Sequence, residues 1–235
     1  MSGYPKRGGA SLGEWVLYRF VRGALLVFAR LWFRLSVEGE EHLPEGRPYI
    51  VSPIHRSNID FLLVLVCCPR DARLRYLAKD TLWKPGWGKL FSALGGIPVA
   101  RGTADREALR SCVEVLEGGE SLVMFPEGTR QHGPELAEMF DGTAFVQSRT
   151  GAPIVPVGIG GSETAMPKGA KFIKPRKITV MIGAPLDPPV IGEDGARARR
   201  HAIRDQTTAL GEVIQLLFDE AQRQAGTPNR REVRS

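Results

Sequence analysis

Short apolar runs alternate with segments of helical periodicity along most of this chain. Apolar runs of strand length lie at 48–53, 73–78, 96–100, 121–125, 153–159 and 177–183. Helical patterns lie near 58–67, 81–93, 104–117, 141–151 and 196–223. Strands that alternate with helices predict an α/β fold: a single domain with a mainly parallel or mixed central sheet flanked by helices.

The N-terminal pattern differs, because apolar residues cover most of the circumference of the helix that it predicts. Ser11 and Glu14 have the spacing of a capping box, so we expect a helix from there to about Leu35. The arginines share one side of this helix: Arg19, Arg22, Arg30 and Arg34. The rest is mostly apolar and includes Leu17, Phe20, Leu25, Phe28, Leu31 and Trp32.

This apolar surface is larger than a helix packed on one side only requires. The pattern therefore predicts an amphipathic helix that lies in a membrane interface, with its arginines at anionic headgroups. The alternative is a helix docked wholly on the rest of the protein.

The chain shows no repeat, linker or second apolar core, and its 235 residues suit one sizeable domain. We expect residues 1–35 to form the basic interface helix with a disordered start. Residues 36–223 would form the globular domain, and residues 224–235 a disordered tail.

The positive charge is concentrated at the N-terminal end. The formal net charge is +6, and residues 1–37 carry six basic residues against Glu14 alone. A basic surface spread over the whole chain would suggest nucleic acid, whereas this distribution favours an anionic membrane surface as the partner and no nucleic acid.

No membrane-spanning segment is expected from the sequence. The longest uncharged run, from Thr150 to Ser162, has 13 residues, and a span needs roughly 20. No cleavable signal is evident. Cys67, Cys68 and Cys112 offer no disulfide framework and are expected to be reduced. We therefore expect a peripheral protein on the cytoplasmic face of the cell membrane.

The first chemical motif is HRSNID, which runs from His55 to Asp60. The two residues can meet if His55 ends the strand-to-helix loop and Asp60 lies in the first turn of the helix, with Ser57 or Asn58 as its N-cap. Asp60 would then hold one ring nitrogen of His55 and leave the other as a general base. On this motif alone, purely local structural roles for both residues stay open.

The second motif is FPEGTR, which ends the strand at 121–125. Gly128 lets the backbone approach a ligand closely, and Arg130 offers a planar fork suited to phosphate. Glu127 could anchor Arg130 or hydrogen-bond a substrate hydroxyl; a Glu–Arg pair that only stiffens the turn is the alternative. The chain has no nucleophile elbow, P-loop or Cys/His metal motif, so direct attack by a substrate hydroxyl or by water is indicated.

Together these motifs resemble the 1-acylglycerol-3-phosphate acyltransferase family, the lysophospholipid and glycerol-phosphate acyltransferases. Residues 78–102 look like the lysine-containing segment and second block of that family, and residues 152–161 like its proline-containing fourth block. The resemblance covers roughly residues 36–185. Ile54 departs from the Asn that the family often has before the histidine, whereas Ser57 keeps the common pattern.

The resemblance implies that His55 is the general base and that Asp60 orients it. It implies binding of the acceptor phosphate by Lys79, Arg101 and Arg130, in a pocket shaped by Glu127, Gly128 and Thr129. The implied reaction transfers a fatty acyl group from a thioester, carried by coenzyme A or acyl carrier protein, to the free hydroxyl of lysophosphatidic acid. A thioester is already activated, so a positioned base suffices without a cofactor or metal.

Three other interpretations stay open from the sequence. The same transfer could use another acceptor, such as glycerol 3-phosphate or a different lysophospholipid. A catalytically silent protein that binds anionic lipid at the membrane surface belongs to another class, and retention of both His55 and Asp60 argues against it. A hydrolase, in which the base activates water, is the weakest of the three.

The basic run Lys168–Lys177 could meet lipid headgroups or the phosphates of the acyl carrier, or be a solvated loop.

Overall fold

The computed structural model describes residues 12–67, 74–84, 88–99, 104–167, 169–189 and 195–230. Within these residues, seven strands form one sheet in the order β1-β7-β6-β2-β5-β3-β4. The strands are β1 (Ser36–Glu38), β2 (Ile50–Pro53), β3 (Leu74–Lys79), β4 (Gly96–Val99), β5 (Ser121–Val123), β6 (Ile154–Gly160) and β7 (Thr179–Ile182). Every pairing is parallel except the antiparallel pairing of β6 with β7. The predicted single α/β domain with a mixed sheet is confirmed.

Helices flank this sheet in two groups. They are α1 (Leu12–Trp32), α2 (Asp60–Cys67), α3 (Gly88–Ala93), α4 (Ala104–Glu117), α5 (Gly142–Thr150), α6 (Ser162–Ala165) and α7 (Gly195–Ala225). Helix α1 contacts α2 and α3, and α5 contacts α4 and α7. All residues of the central strands β2 and β6 are buried, as expected of strands covered on both faces.

The elements of the structure differ from the prediction at β1 and near α3. The sequence does not predict strand β1, because three residues are too few for a recognisable pattern. The strand forms because Ser36–Glu38 pair in parallel with Thr179, Val180 and Met181 of β7. The helix expected over 81–93 is divided into a 3₁₀ turn, Asp80–Leu82, and α3. Pro85 and Gly86 in the sequence disfavour one continuous helix.

The predicted arginine face of α1 is wrong at Arg22. This side chain is buried, and its guanidinium donates to the carbonyl oxygens of Leu65 and Val66 at 3.0 and 3.1 Å. A cation at these last carbonyls of α2 satisfies acceptors that the helix itself cannot. The helix also ends at Trp32 rather than near Leu35.

The docking of α1 leaves an apolar face exposed on its opposite side. Its members are Leu12, Val16, Leu17, Phe20, Val27, Phe28, Leu31 and Trp32, all exposed by more than a third of their surface. Helix α1 therefore packs on the domain and still presents apolar side chains to its surroundings. Among the described residues, no helix combines the length and the apolar character that crossing a bilayer requires.

The expected disordered tail is also corrected in part. Helix α7 extends to Ala225, and Gly226 adopts a left-handed conformation with φ of 80°, which is the usual way for glycine to end a helix. The chain then folds back, and Asn229 donates to the Asp219 carboxylate at 2.7 Å. Residues 1–11 and 231–235 lie outside the described part.

Gly158 in β6 allows α7 to lie directly against the sheet. A Cβ atom added at Gly158 would lie 2.3 Å from the backbone carbon of Leu217, and backbone atoms cannot move aside cheaply. The sheet and α7 thus depend on a residue without a side chain here.

Gly158→Ala should lower the free energy of unfolding by about 1–3 kcal/mol, the usual cost of overpacking, measured by urea unfolding. Gly23→Ala is the control, because no atom among the described residues beyond its own stretch of helix lies within 4 Å of a Cβ at Gly23 on α1. Equal stability of the Gly158→Ala variant and the unmodified protein would contradict the close approach of α7 to β6.

Candidate active site

The candidate residues of both motifs follow strands that end at one edge of the sheet. Because β2, β3 and β5 are parallel neighbours, their carboxyl ends point to the same edge, where open α/β sheets commonly bind ligands. His55 follows β2, residues 127–130 follow β5, and the backbone of Lys79 ends β3. The side chain of Lys79 and the whole of Arg101 lie outside the described part.

His55 and Asp60 are in contact. The Nδ1 atom of His55 lies 3.1 Å from Oδ2 of Asp60, and the Asp60 side chain is fully buried whereas that of His55 is 18% exposed. The same carboxylate oxygen accepts hydrogen bonds from the backbone N–H groups of Arg56 and Ser57, both at 2.6 Å. The contact predicted from the spacing is therefore present, and Asp60 also closes the loop between the two residues.

The expected N-cap is corrected. Helix α2 begins at Asp60 itself, and the Ser57 hydroxyl donates to the backbone oxygen of Met166 at 2.8 Å. Ser57 thus ties the histidine loop to the segment that follows α6 and leaves the loop amides to Asp60.

The His55 residue is held at almost every polar atom. Its backbone N–H donates to Oε2 of Glu127 at 3.0 Å, and its carbonyl oxygen accepts from the Gln131 N–H at 2.9 Å. The ring packs on Phe125, with 4.1 Å between ring centroids. If Nδ1 donates its proton to Asp60, Nε2 has a lone pair and no hydrogen-bond partner among the described residues, which is the arrangement that a general base needs.

Glu127 does not anchor Arg130. Its buried carboxylate pairs with Arg56, whose Nη1 lies 2.7 Å from Oε1 and 2.9 Å from Oε2, and Oε1 also accepts from the Ala137 N–H at 3.1 Å. All its oxygens are occupied by the protein, so Glu127 can shape the pocket only through the loops that it holds.

Sequence reasoning missed Arg56. A charged residue inside a loop motif suggests exposure, and its partner lies 71 residues further along the chain. The sequence does contain one indication of the pair. The first motif carries a basic residue, Arg56, the second an acidic residue, Glu127, and the two motifs follow neighbouring strands.

The turn after Glu127 is open towards its surroundings. Gly128 has φ of 67°, and a Cβ atom there would lie 3.0 Å from the Phe140 ring, so both conformation and space favour glycine. The Thr129 hydroxyl accepts from the Gln131 side chain at 3.2 Å. The guanidinium of Arg130 forms no hydrogen bond or ion pair with the described residues, which leaves its donors available for a ligand.

The cysteine thiols offer no alternative nucleophile in the described part. Cys67 and Cys112 are buried, and burial raises the pKa of the Cys112 thiol to about 12. The phenol of Tyr76 also remains protonated near neutral pH and so cannot act as a general base. Burial, and to a lesser extent the nearby Tyr18, raise its pKa to about 12.

The basic segment between β6 and β7 lies at the same edge of the sheet. Because β7 runs antiparallel to β6, the chain from Gly161 to Ile178 connects the carboxyl end of one strand to the adjacent amino end of the other. This segment exposes four basic side chains, those of Lys171, Lys174, Arg176 and Lys177. The side chain of Phe172 is 82% exposed. Lys168 lies outside the described residues.

Comparisons with known proteins agree with the resemblance of the motifs. A family model described as Acyltransferase matches residues 34–160. The 1-acyl-sn-glycerol-3-phosphate acyltransferase of Bacillus subtilis is 26% identical over 171 residues, which are 72% of this chain and 82% of that protein. The chloroplastic LPAT1 enzyme of the same name from Arabidopsis thaliana is 27% identical over 67% of this chain and 47% of that protein.

The crystal structure of the 1-acyl-sn-glycerophosphate (LPA) acyltransferase PlsC from Thermotoga maritima has a similar fold. The TM-score is 0.63 at 28% sequence identity, and the match covers 83% of this chain and 80% of that one. This chain spans only 47% of the Arabidopsis relative and 60% of a relative from Limnanthes douglasii.

Proposed function

The chain belongs to the acyltransferase family, and from this premise we propose that it transfers a fatty acyl group from an acyl thioester to the free hydroxyl of lysophosphatidic acid. The product is phosphatidic acid, a precursor in phospholipid synthesis. The observation that carries this proposal is that Nε2 of His55 and the guanidinium of Arg130, neither of which has a partner among the described residues, lie at the same edge of the sheet. The names of the relatives support the choice of acceptor.

In the proposed reaction, Nε2 of His55 accepts the proton of the acceptor hydroxyl while its oxygen attacks the thioester carbonyl carbon. A carbon–oxygen bond forms, the carbon–sulfur bond breaks, and the proton passes from His55 to the departing thiolate. Asp60 keeps Nδ1 as the donor and stabilises the transient imidazolium. No acyl-enzyme, cofactor or metal takes part, and acyl-CoA or acyl carrier protein enters as a co-substrate.

The acceptor phosphate would lie against the turn after β5. Arg130 offers paired donors for phosphate oxygens, and the exposed turn at Gly128 and Thr129 carries it to the edge of the pocket. Lys79 is the last residue of β3, and Arg101 comes two positions after the end of β4 in the sequence; both would add positive charge. Glu127 contributes by holding the turn in place through Arg56.

We further propose that the protein binds an anionic membrane surface from the cytoplasmic side. The exposed apolar face of α1 is flanked by Arg19 and Arg30, a distribution suited to an interfacial helix. Since Phe33 and Ile178 share a backbone hydrogen bond of 3.0 Å, the end of α1 lies beside the basic segment at the site's edge. A lipid acceptor could then reach His55 without full transfer into water.

His55→Ala should lower kcat for thioester consumption with lysophosphatidic acid by at least about 100-fold, since general base catalysis contributes roughly 10²–10⁴. Asp60→Asn should be severely impaired as well, because an amide cannot stabilise the imidazolium.

His132→Ala is a matched control, because His132 also pairs with a carboxylate, Glu163, at 3.0 Å but is exposed. It should retain kcat within about threefold, as an exposed pair contributes little. Near-normal turnover by purified His55→Ala would exclude the assignment of the base, and turnover with other acceptors in a lysolipid panel but none with lysophosphatidic acid would exclude the proposed acceptor.

Arg130→Lys should raise the acceptor KM about tenfold and leave the thioester KM within twofold, because a single ammonium replaces a bidentate fork. Steady-state kinetics with each substrate varied in turn measure both constants. Arg149→Lys, on the exposed side of α5, should change neither. A shift of the thioester constant alone would assign Arg130 to the carrier site instead.

Replacing Phe20 and Leu31 together by serine should weaken binding to phosphatidylglycerol-containing vesicles at least about tenfold, since each buried apolar side chain is worth about 1.5–3 kcal/mol. Both are more than 70% exposed, so the thermal unfolding temperature should not change. Flotation with the full chain measures the binding.

Leu216→Ser is the matched control, because Leu216 is 70% exposed on a different helix, α7, which packs on β6 and α5. Its flotation should equal that of the unmodified protein. Unchanged flotation of the Phe20/Leu31 variant would move the membrane contact away from α1.

A further inference from the structure

Arg56 is a fully buried arginine, and its guanidinium is used on every side. Beyond the two bonds to Glu127, its Nη2 donates to the carbonyl oxygen of Glu135 at 2.8 Å and its Nε to that of Gly133 at 3.3 Å. The side chain is only 1% exposed, so no substrate can reach it without rearrangement.

The Arg56–Glu127 pair holds the peptide groups on both sides of His55. Glu127 accepts from the His55 N–H at 3.0 Å, and Nη1 of Arg56 donates to the His55 carbonyl oxygen at 3.2 Å. The side chain of Asp60 fixes the imidazole ring, whereas this ion pair fixes the backbone that carries it.

The same pair connects the histidine loop to the phosphate turn and to α7. Its bonds to residues 133–137 join the loop after β5, which Gln215 of α7 also holds through the Leu136 N–H at 2.8 Å. The guanidinium carbon of Arg56 lies 5.2 Å from the centroid of the Phe218 ring on α7. His55 and the turn that carries Arg130 are therefore joined by hydrogen bonds into one unit.

Stability alone gives little reason for this pair. Desolvation of two buried charges cancels much of their attraction, and apolar residues of similar volume commonly serve as well. The pair does fix the orientation of the groups around it, because the donors of a guanidinium lie in one plane and hold several acceptors in set positions.

We propose that Arg56 is a positioning residue that, with Glu127, aims Nε2 of His55 at the acceptor hydroxyl. The inference rests on the proposed function for the identity of the reaction. It assigns Arg56 no contact with either substrate, so its loss should affect the chemical step and leave substrate binding nearly unchanged.

The test compares Arg56→Lys with Arg22→Lys in the full chain. Both arginines are buried and donate to backbone carbonyls, but Arg22 lies on α1 and donates to the carbonyl oxygens of Leu65 and Val66 at the end of α2. Arg56→Lys should lower kcat by about 10- to 100-fold, the scale of a small misplacement of a catalytic group, with both KM values within threefold. Arg22→Lys should keep kcat within threefold.

Hydrogen exchange measured by mass spectrometry without substrate supplies a readout independent of activity. In Arg56→Lys, peptides that cover residues 54–58 and 131–137 should exchange at least about tenfold faster, while β6 and α7 keep their protection. In Arg22→Lys, faster exchange should be confined to α1 and the end of α2.

Unchanged exchange at residues 54–58, or an unchanged kcat, would overturn the positioning role. A loss of protection throughout the sheet would overturn it too, because Arg56 would then be a general stabiliser. If the unmodified protein transferred no acyl group to lysophosphatidic acid while the local exchange rose as expected, the proposed acceptor would fail and the positioning of His55 would stand.

Discussion

The parallel pairing of β2 with β5 is the constraint on which the candidate site depends. Ile50 lies opposite Leu122 and Val51 opposite Val123, so the two strands end together and release the histidine loop and the FPEGTR turn side by side. A slip of one residue would turn the side chains of either strand to the other face of the sheet. The apolar residues of both strands therefore determine where the polar chemistry lies.

Around that pairing, the structure holds His55 with two carboxylates of different roles. Asp60 contacts the ring, and Glu127 contacts the backbone. Both are buried, and each has its charge compensated by hydrogen bonds or by a cation, as buried carboxylates require. Arg130 differs because its guanidinium has no partner within the described residues, which distinguishes a group available to a ligand from one that builds the site.

The sequence was sufficient for the alternating strands and helices, for the single domain and for the contact of His55 with Asp60, because these depend on local periodicity and on a short loop. Arg22 and Arg56 could not be placed from it. A helical wheel shows which residues share a side but not which side is buried, and only tertiary packing brings Arg22 to the end of α2. Arg56 meets Glu127 solely through the register of two strands that are far apart in sequence. Both errors concern charged residues, whose burial depends on partners that no local pattern reveals.

The most direct test of the account is a crystal structure of the protein with a non-reactive lysophosphatidic acid analogue. The free hydroxyl oxygen of the acceptor should lie within about 2.6–3.2 Å of Nε2 of His55, and the phosphate should contact the guanidinium of Arg130. An acceptor hydroxyl bound away from Nε2, with His55 unmoved, would contradict the central claim.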